Sequence, residues 1–486
     1  MKNLEIFRNN YFWLILIILL GFWVRLYKID SPIADWHSWR QADTAAVTRN
    51  FIKEGFNPLL PKYDDMSGNA ENPIPNPGRF RFVEFPIYNM VVYPFYLLFG
   101  INETYHRLVS VIFSLGSMVF LYLITKKYSG INVALITAFT FALLPFNVFF
   151  SRTTLPEPTF VFFALGMMYF VDRWIGEKKL IVGIWGFIFS ALAFLIKPWA
   201  IFFFLPLLYL VFKKRSIFKK FILFSLLALI PLIAWRLWIM QQPEGIPASS
   251  WLLNGDGIRF RPAFFWWIFS ERLGREILSV SGLILFIIVV IIKPKDGNYF
   301  LHIWLLSALL FMVIFATGNV RHDYYQIMFV PIATIFLSKG FLEIINGNRN
   351  FIARIWLIPL GLFLFISSFY FGYKQVIELY RINNSSMIEV GKMADSILPK
   401  EALVVAPYNG DSAFLYQTNR AGFAFVPSSI KDLIADYGIS YYISTSYDDK
   451  TNWVLRYFSP VLQNPQFVIV DLTKLKKDFD NSDIEP

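Results

Sequence analysis

Blocks of apolar residues, several longer than 18, recur along nearly the whole chain, and only one long polar run interrupts them near the start. That pattern excludes an ordinary soluble domain, which carries about 25% charged residues. Here the charged fraction is 16%, against 56% hydrophobic residues. Repeated apolar stretches near the ~20 residues needed to cross a bilayer predict a polytopic α-helical membrane protein. Candidate spans are residues 11–27, 106–125, 132–150, 158–175, 180–196, 199–212, 218–240, 276–293, 299–317, 324–340 and 351–373, about eleven in all. No small-residue cleavage site follows the first block, so it reads as a retained span.

The net charge of +11 does not imply nucleic acid, because the basic residues form short clusters between apolar blocks. These clusters are Lys126–Lys127, Lys178–Lys179, and the turns 213–220, 293–295 and 339–354. All fall on one side if the N-terminus is cytoplasmic, the positive-inside arrangement. The opposite face then receives 28–105, 151–158, 196–199, 241–275, 318–326 and everything after 373. Residues 85–100 are apolar but short, and they contain Pro86, Asn89 and Pro94. Counting them as a span breaks the charge alternation, so they predict a helix lying in the interface. The chain has no cysteine, which excludes disulfides, thiolate nucleophiles and Cys-based metal sites.

Composition divides the chain into a membrane module, 1–373, and a small extracytoplasmic α/β domain, 374–486. In the latter, 383–398 reads as a helix capped by Asn383 or Asn384. Strand-like runs follow at 402–406, 441–444 and 467–471, with a helix at 430–437 between them. An acidic tail runs from Asp478 to Pro486.

The polar run 28–84 holds Asp35, His37, Arg40, Asp43 and Glu84. If 35–54 is one helix, Asp35, Trp39 and Asp43 share a stripe, with His37 and Arg40 on adjoining faces. A carboxylate beside an acceptor hydroxyl can act as a general base, and Arg suits bidentate pairing with phosphate. Asp35, Asp43 and Glu84 could also hold a divalent metal through hard oxygen ligands. The bland alternative makes these solvated loop residues, with Asp35 a helix cap and Glu84 a dipole partner. Arg152 and Glu157 lie in the next outer turn, where charges at span ends commonly snorkel. Arg321, His322 and Tyr324 lie in a later outer turn, where cations run against the positive-inside trend and suit lipid phosphate, with Lys197 on the same side. Arg259, Arg261, Arg272 and Arg275, with Trp266 and Trp267, suit either a lid over a lipid-linked substrate or an interfacial aromatic belt.

Taken in order, a carboxylate-bearing first outer loop, Glu84-Phe85-Pro86, the Arg152-x-x-x-Pro156-Glu157 turn and the Arg321-His322-x-Tyr324-Tyr325 turn resemble the bacterial GT-C membrane glycosyltransferases. That group includes the protein O-mannosyltransferases and the lipid A aminoarabinose transferases. The resemblance covers about residues 5–373. It implies inverting transfer of a sugar from a polyprenyl-phosphate donor to a lipid, glycan or protein acceptor at the outer face of the cell membrane. It further implies a first-loop Asp as base, Glu84 assisting, a divalent metal in some members, and Arg152, Glu157, Arg321, His322 and Tyr324 at the donor phosphate. The chain departs from the family pattern in lacking an adjacent Asp-Glu pair between Ile29 and Gly55, and in having Phe85 where lysine is usual. Asp43, then Asp35, is left as the candidate base. Competing readings are a polyprenyl-linked glycan ligase or polymerase, and a lipid-linked-sugar transporter. The scarcity of ionisable residues at mid-span disfavours the transporter.

Overall fold

The computed structural model describes residues 10–68, 74–294, 297–346, 351–382, 384–479 and 485–486. Residues 69–73 of the first polar run, Lys295, residues 347–350, Asn383 and most of the acidic tail lie outside the described residues. Helices dominate. The first four are α1 (Asn10–Arg25), α2 (Ser38–Glu54), α3 (Ile87–Phe99) and α4 (Glu103–Ser129). Helices also stand at every later position where an apolar span was expected, through Phe351–Val376. Among the described residues, Glu103–Ser129, Glu157–Glu177, Arg215–Ile239 and Ala353–Tyr380 are long and apolar enough to cross a membrane. Pro262–Ile277 and Ser279–Val290 form a pair bent by 113°, and the remaining apolar helices are shorter.

By contacts the chain separates into two units. The first comprises residues 1–29, 107–236 and 249–380. Its helices bury several polar anchors, among them Arg25, which donates to Ser151 Oγ at 2.7 Å and to the Gly21 and Ala142 carbonyls at 2.8 and 2.7 Å. Such bonds satisfy a cation that would be costly to hold in an apolar interior.

The second unit comprises residues 30–106, 237–248 and 381–486. Its five-stranded sheet has the order β2-β1-β3-β5-β4, with β1 Val404–Val405, β2 Gly422–Phe423, β3 Tyr441–Ser444, β4 Phe458–Gln463 and β5 Val468–Leu475. β1 is parallel to β2 and β3, whereas β5 is antiparallel to β3 and β4. Alternation along β5 sends Ile469 to one core, and Val468, Val470 and Leu472 to the other. The first core is shared with Ala42, Ala45, Ala46 and Phe51 of α2 and with the helix Ser386–Ile397. The second core, around Val405, Tyr442, Trp453, Tyr457 and Val470, is formed by the C-terminal segment together with Met66. The small residues of α2 let that helix settle into the first core, burying a face that the first loop could not cover alone.

Backbone pairing joins the two segments directly. Met66 N–H donates to the Gly422 carbonyl at 2.7 Å, and Gly422 N–H to the Asp64 carbonyl at 3.0 Å. A Cβ at Gly422 would fall 1.7 Å from the Val404 carbonyl oxygen, so only glycine fits this double pairing. The expected helix at 430–437 is present as Ile430–Tyr437. The 383–398 helix runs Ser386–Ile397, with Asn384 Oδ1 accepting from Ser386 N–H at 3.0 Å. β2 and β4 were not expected.

Candidate active site

In the second unit, Asp35, His37, Arg40, Asp43 and Glu84 gather around the N-terminal half of α2. The helix begins at Ser38, and His37 before it adopts a left-handed conformation, φ 56°. Asp35 thus lies off the helix, and the expected Asp35–Trp39–Asp43 stripe does not form. Nor does Asp35 cap α2: the residue at the cap is His37, with no side-chain cap bond. Asp35 is instead buried, and its Oδ1 accepts from Gln41 Nε2 at 2.7 Å. A left-handed non-glycine residue costs on the order of 1–3 kcal/mol and persists only where its surroundings fix it.

Arg40 and Glu84 form a bidentate pair, with Arg40 Nη2 2.7 Å from both carboxylate oxygens. Both side chains are buried. Asn89 of α3 donates to the Thr44 carbonyl at 2.6 Å and to Thr48 Oγ1 at 2.8 Å, tying the helix after Glu84 to α2. Asp43 takes the Arg81 guanidinium at 2.6 Å on Oδ2 and the Ser412 hydroxyl at 2.5 Å on Oδ1. Beside it, Asp411 Oδ2 accepts from Ser38 Oγ at 2.6 Å. Burial pushes the Asp411 carboxyl above its ordinary range, with the hydrogen bonds from Ser38 and Ala413 opposing. Burial also lifts Asp65 to about 6, against hydrogen bonds from Ser67.

Arg81, Asp411 and Ser412 were missed from the sequence. The one local signal was the Asn409-Gly410-Asp411-Ser412 turn, in which Asn409 and Gly410 both have positive φ. Nothing in the sequence says which loop such a turn will meet.

The metal set expected at Asp35, Asp43 and Glu84 does not fit this arrangement. Glu84 already faces the Arg40 cation and Asp43 the Arg81 cation, each of which would repel a metal ion placed beside it. Among the described residues, no group of three His, Asp or Glu converges as a metal site.

The remaining candidates lie in the first unit. Arg152 is fully buried, donating to the Lys28 carbonyl at 2.7 Å and stacking 4.4 Å over Tyr380. Glu157 and Lys197 pair at 3.2 Å, both buried. Lys197 sits over Trp199, whose ring meets Tyr325 at 4.5 Å, and Tyr325 meets His322 and Tyr324. Ring contacts thereby bring Glu157, Lys197, His322 and Tyr324 together. Arg321 is different: it is exposed, paired with Asp256 at 2.8 Å, and 5.5 Å from Trp251. In the loop read as a lid, Arg259 donates to the Val313 carbonyl, Arg261 to the Asp256 carbonyl, Arg272 to the Val320 carbonyl, and Arg275 to Glu271.

Residues 85–238, under half of the chain, match the sequence model of the dolichyl-phosphate-mannose-protein mannosyltransferases. An uncharacterized protein of Aquifex aeolicus (strain VF5) is 36% identical over 97 residues, which are 20% of this chain and 23% of that protein. ArnT of Cupriavidus metallidurans, solved with undecaprenyl phosphate bound, aligns over 94% of this chain and 97% of its own, with a TM-score of 0.66 at 11% identity. The oligosaccharyltransferase of Archaeoglobus fulgidus aligns over 92% of this chain and 73% of its own (TM-score 0.57, 11% identity). One structure of that enzyme holds Zn and sulfate, and another holds an inhibitory peptide and a dolichol-phosphate. Over nearly its whole length the chain has the fold of the GT-C membrane glycosyltransferases, and within 85–238 it matches the mannosyltransferase branch in sequence as well.

Proposed function

We propose that this protein transfers a sugar from a polyprenyl-phosphate donor to an acceptor hydroxyl at the outer face of the cell membrane, with inversion at the anomeric carbon. The match of residues 85–238 to the mannosyltransferase model carries this reading, and the carboxylate cluster around α2 supports it.

In the proposed reaction the acceptor oxygen forms a bond to the anomeric carbon as the bond from that carbon to the phosphate oxygen breaks. The phosphate leaves with the electron pair, and a carboxylate takes the acceptor proton. Asp43 is the proposed base, with Asp35 second. Each carboxylate oxygen has two lone pairs, so Asp43 keeps acceptor capacity beyond Arg81 and Ser412. Arg81 would also hold the carboxylate in one orientation, a prerequisite for efficient proton transfer. Arg40 and Glu84 brace the start of the helix that carries Asp43. In the first unit, Arg321, His322 and Tyr324, with Arg152 and the Lys197–Glu157 pair, are the proposed groups for the donor phosphate. Exposed Arg321 would pair with the donor phosphate equally before and during transfer, and the buried cations would stabilise charge developing on the leaving group.

The test is transfer by the purified protein from radiolabelled polyprenyl-phosphate sugars to envelope extracts. Labelled product should form with the wild type, and with Asp43→Asn at a rate lower by a factor of about 10²–10⁴. Product from neither protein, with any donor of this class, would overturn the reading.

A further inference from the structure

Beyond the carboxylate cluster, the second unit contains a polar cavity of about 570 Å³ between the C-terminal half of α2 and the 395–421 segment. Its size lies within the range of small-ligand sites. The charges of its wall balance in number, Lys53, Arg79, Lys400 and Arg420 against Glu54, Asp64, Asp395 and Glu401. Arg79 pairs with Glu54 at 2.5 Å, and Arg420 with Asp395 at 2.7 Å. Lys53 donates to Asn419 Oδ1 at 2.6 Å, and Asn419 Nδ2 donates to Asp395 at 3.1 Å. A charged ligand would meet as many wall groups of its own sign as of the opposite one. A neutral ligand bearing hydroxyls could add to them, because carboxylates and amides keep unused lone pairs and N–H groups.

A smaller cavity of about 240 Å³ shares Asn50 and Glu54 with the first, and brings the half-buried Phe80 to its wall. Hydrogen-bonding walls beside an aromatic face suit a sugar ring, which has polar edges and an apolar face. Asn50 and Glu54 follow Asp43 by seven and eleven residues. They therefore share its face of α2, roughly 10 and 16 Å along the helix.

We propose that this cavity binds a neutral carbohydrate, the glycan portion of the acceptor. Only the word acceptor rests on the glycosyltransferase reading; saccharide binding stands without it. The test uses the full-length protein in detergent, without donor, titrated with uncharged trisaccharides built from glucose, mannose or N-acetylglucosamine. An uncharged peptide and inorganic phosphate serve as counter-probes.

At least one trisaccharide should bind. Lys53→Met and Asn419→Leu should each weaken it about tenfold, equivalent to ~1.4 kcal/mol. Glu401→Trp, at an exposed rim position, should block the cavity while leaving the internal pairs in place. Absence of trisaccharide binding, binding indifferent to all three cavity variants, or binding of peptide or phosphate alone would overturn the proposal. A negative result leaves the transfer reading intact, because no donor takes part. Saccharide binding without any transfer would break the transfer reading alone.

Discussion

Two arginine–carboxylate pairs, one in each unit, have nearly the same length and very different surroundings. Arg40–Glu84 is bidentate, 2.7 Å long, with side chains only 4% and 9% exposed. Arg321–Asp256 is 2.8 Å long, with side chains 57% and 47% exposed. Breaking a buried pair strands a charge and costs about 3–5 kcal/mol, whereas an exposed pair is worth ~0–1 kcal/mol. The first pair is a strut that no ligand should displace. The second can exchange its carboxylate for a phosphate at little cost. Of these two pairs, the buried one braces α2, and the exposed one carries an arginine proposed for the donor phosphate.

The largest expected effect is on rate. Asp43→Asn should lower sugar transfer by a factor of about 10²–10⁴, the usual contribution of a positioned base. Asparagine at 43 also leaves the buried Arg81 without its counter-charge, so rates are compared on protein shown by thermal melting to be folded at the assay temperature. Next comes the strut itself: Arg40→Ala should lower stability by about 3–5 kcal/mol through the stranded Glu84, measured by thermal melting in detergent. A loss below 1 kcal/mol would dissolve the contrast between the two pairs.

A smaller effect tests burial at Asp65, whose carboxyl is raised from 3.8 to about 6. An acid whose folded pKa is raised favours its protonated form in the native state. Its contribution is full below pH ~4 and is lost as pH rises through 6. Asp65→Asn should therefore stabilise the protein at pH 7.5 by on the order of 2–3 kcal/mol, and not at pH 4. Equal shifts at both pH values would remove the titration as the cause. Smallest of all, Arg321→Ala should leave melting unchanged while raising the KM for the lipid donor several-fold. An unchanged KM would count against phosphate binding at that turn.

The helical fold was legible because each span carries its own apolar signal. The positions from Asn10–Arg25 to Phe351–Val376 follow from composition alone. Five of the proposed site residues, Asp35 to Glu84, were also legible as a group, since they fall in one polar run. Their geometry was not. A helical stripe through Asp35 assumed a helix starting before Ser38, and the left-handed turn at His37 prevents it. Arg81 and Ser412 escaped because an ion pair across 38 residues of sequence, and a hydroxyl arriving from 369 residues away, leave no periodic trace. For the same reason composition did not show that α2 packs its small apolar residues into one core with residues of the C-terminal segment.

The most direct test is single-turnover transfer from a labelled polyprenyl-phosphate sugar, comparing wild type, Asp43→Asn and Arg321→Ala at saturating donor. The expected result is product from wild type and from Arg321→Ala at similar rates, and from Asp43→Asn at a rate lower by a factor of about 10²–10⁴. Undiminished product from Asp43→Asn would contradict the assignment of the buried α2 cluster as the catalytic centre.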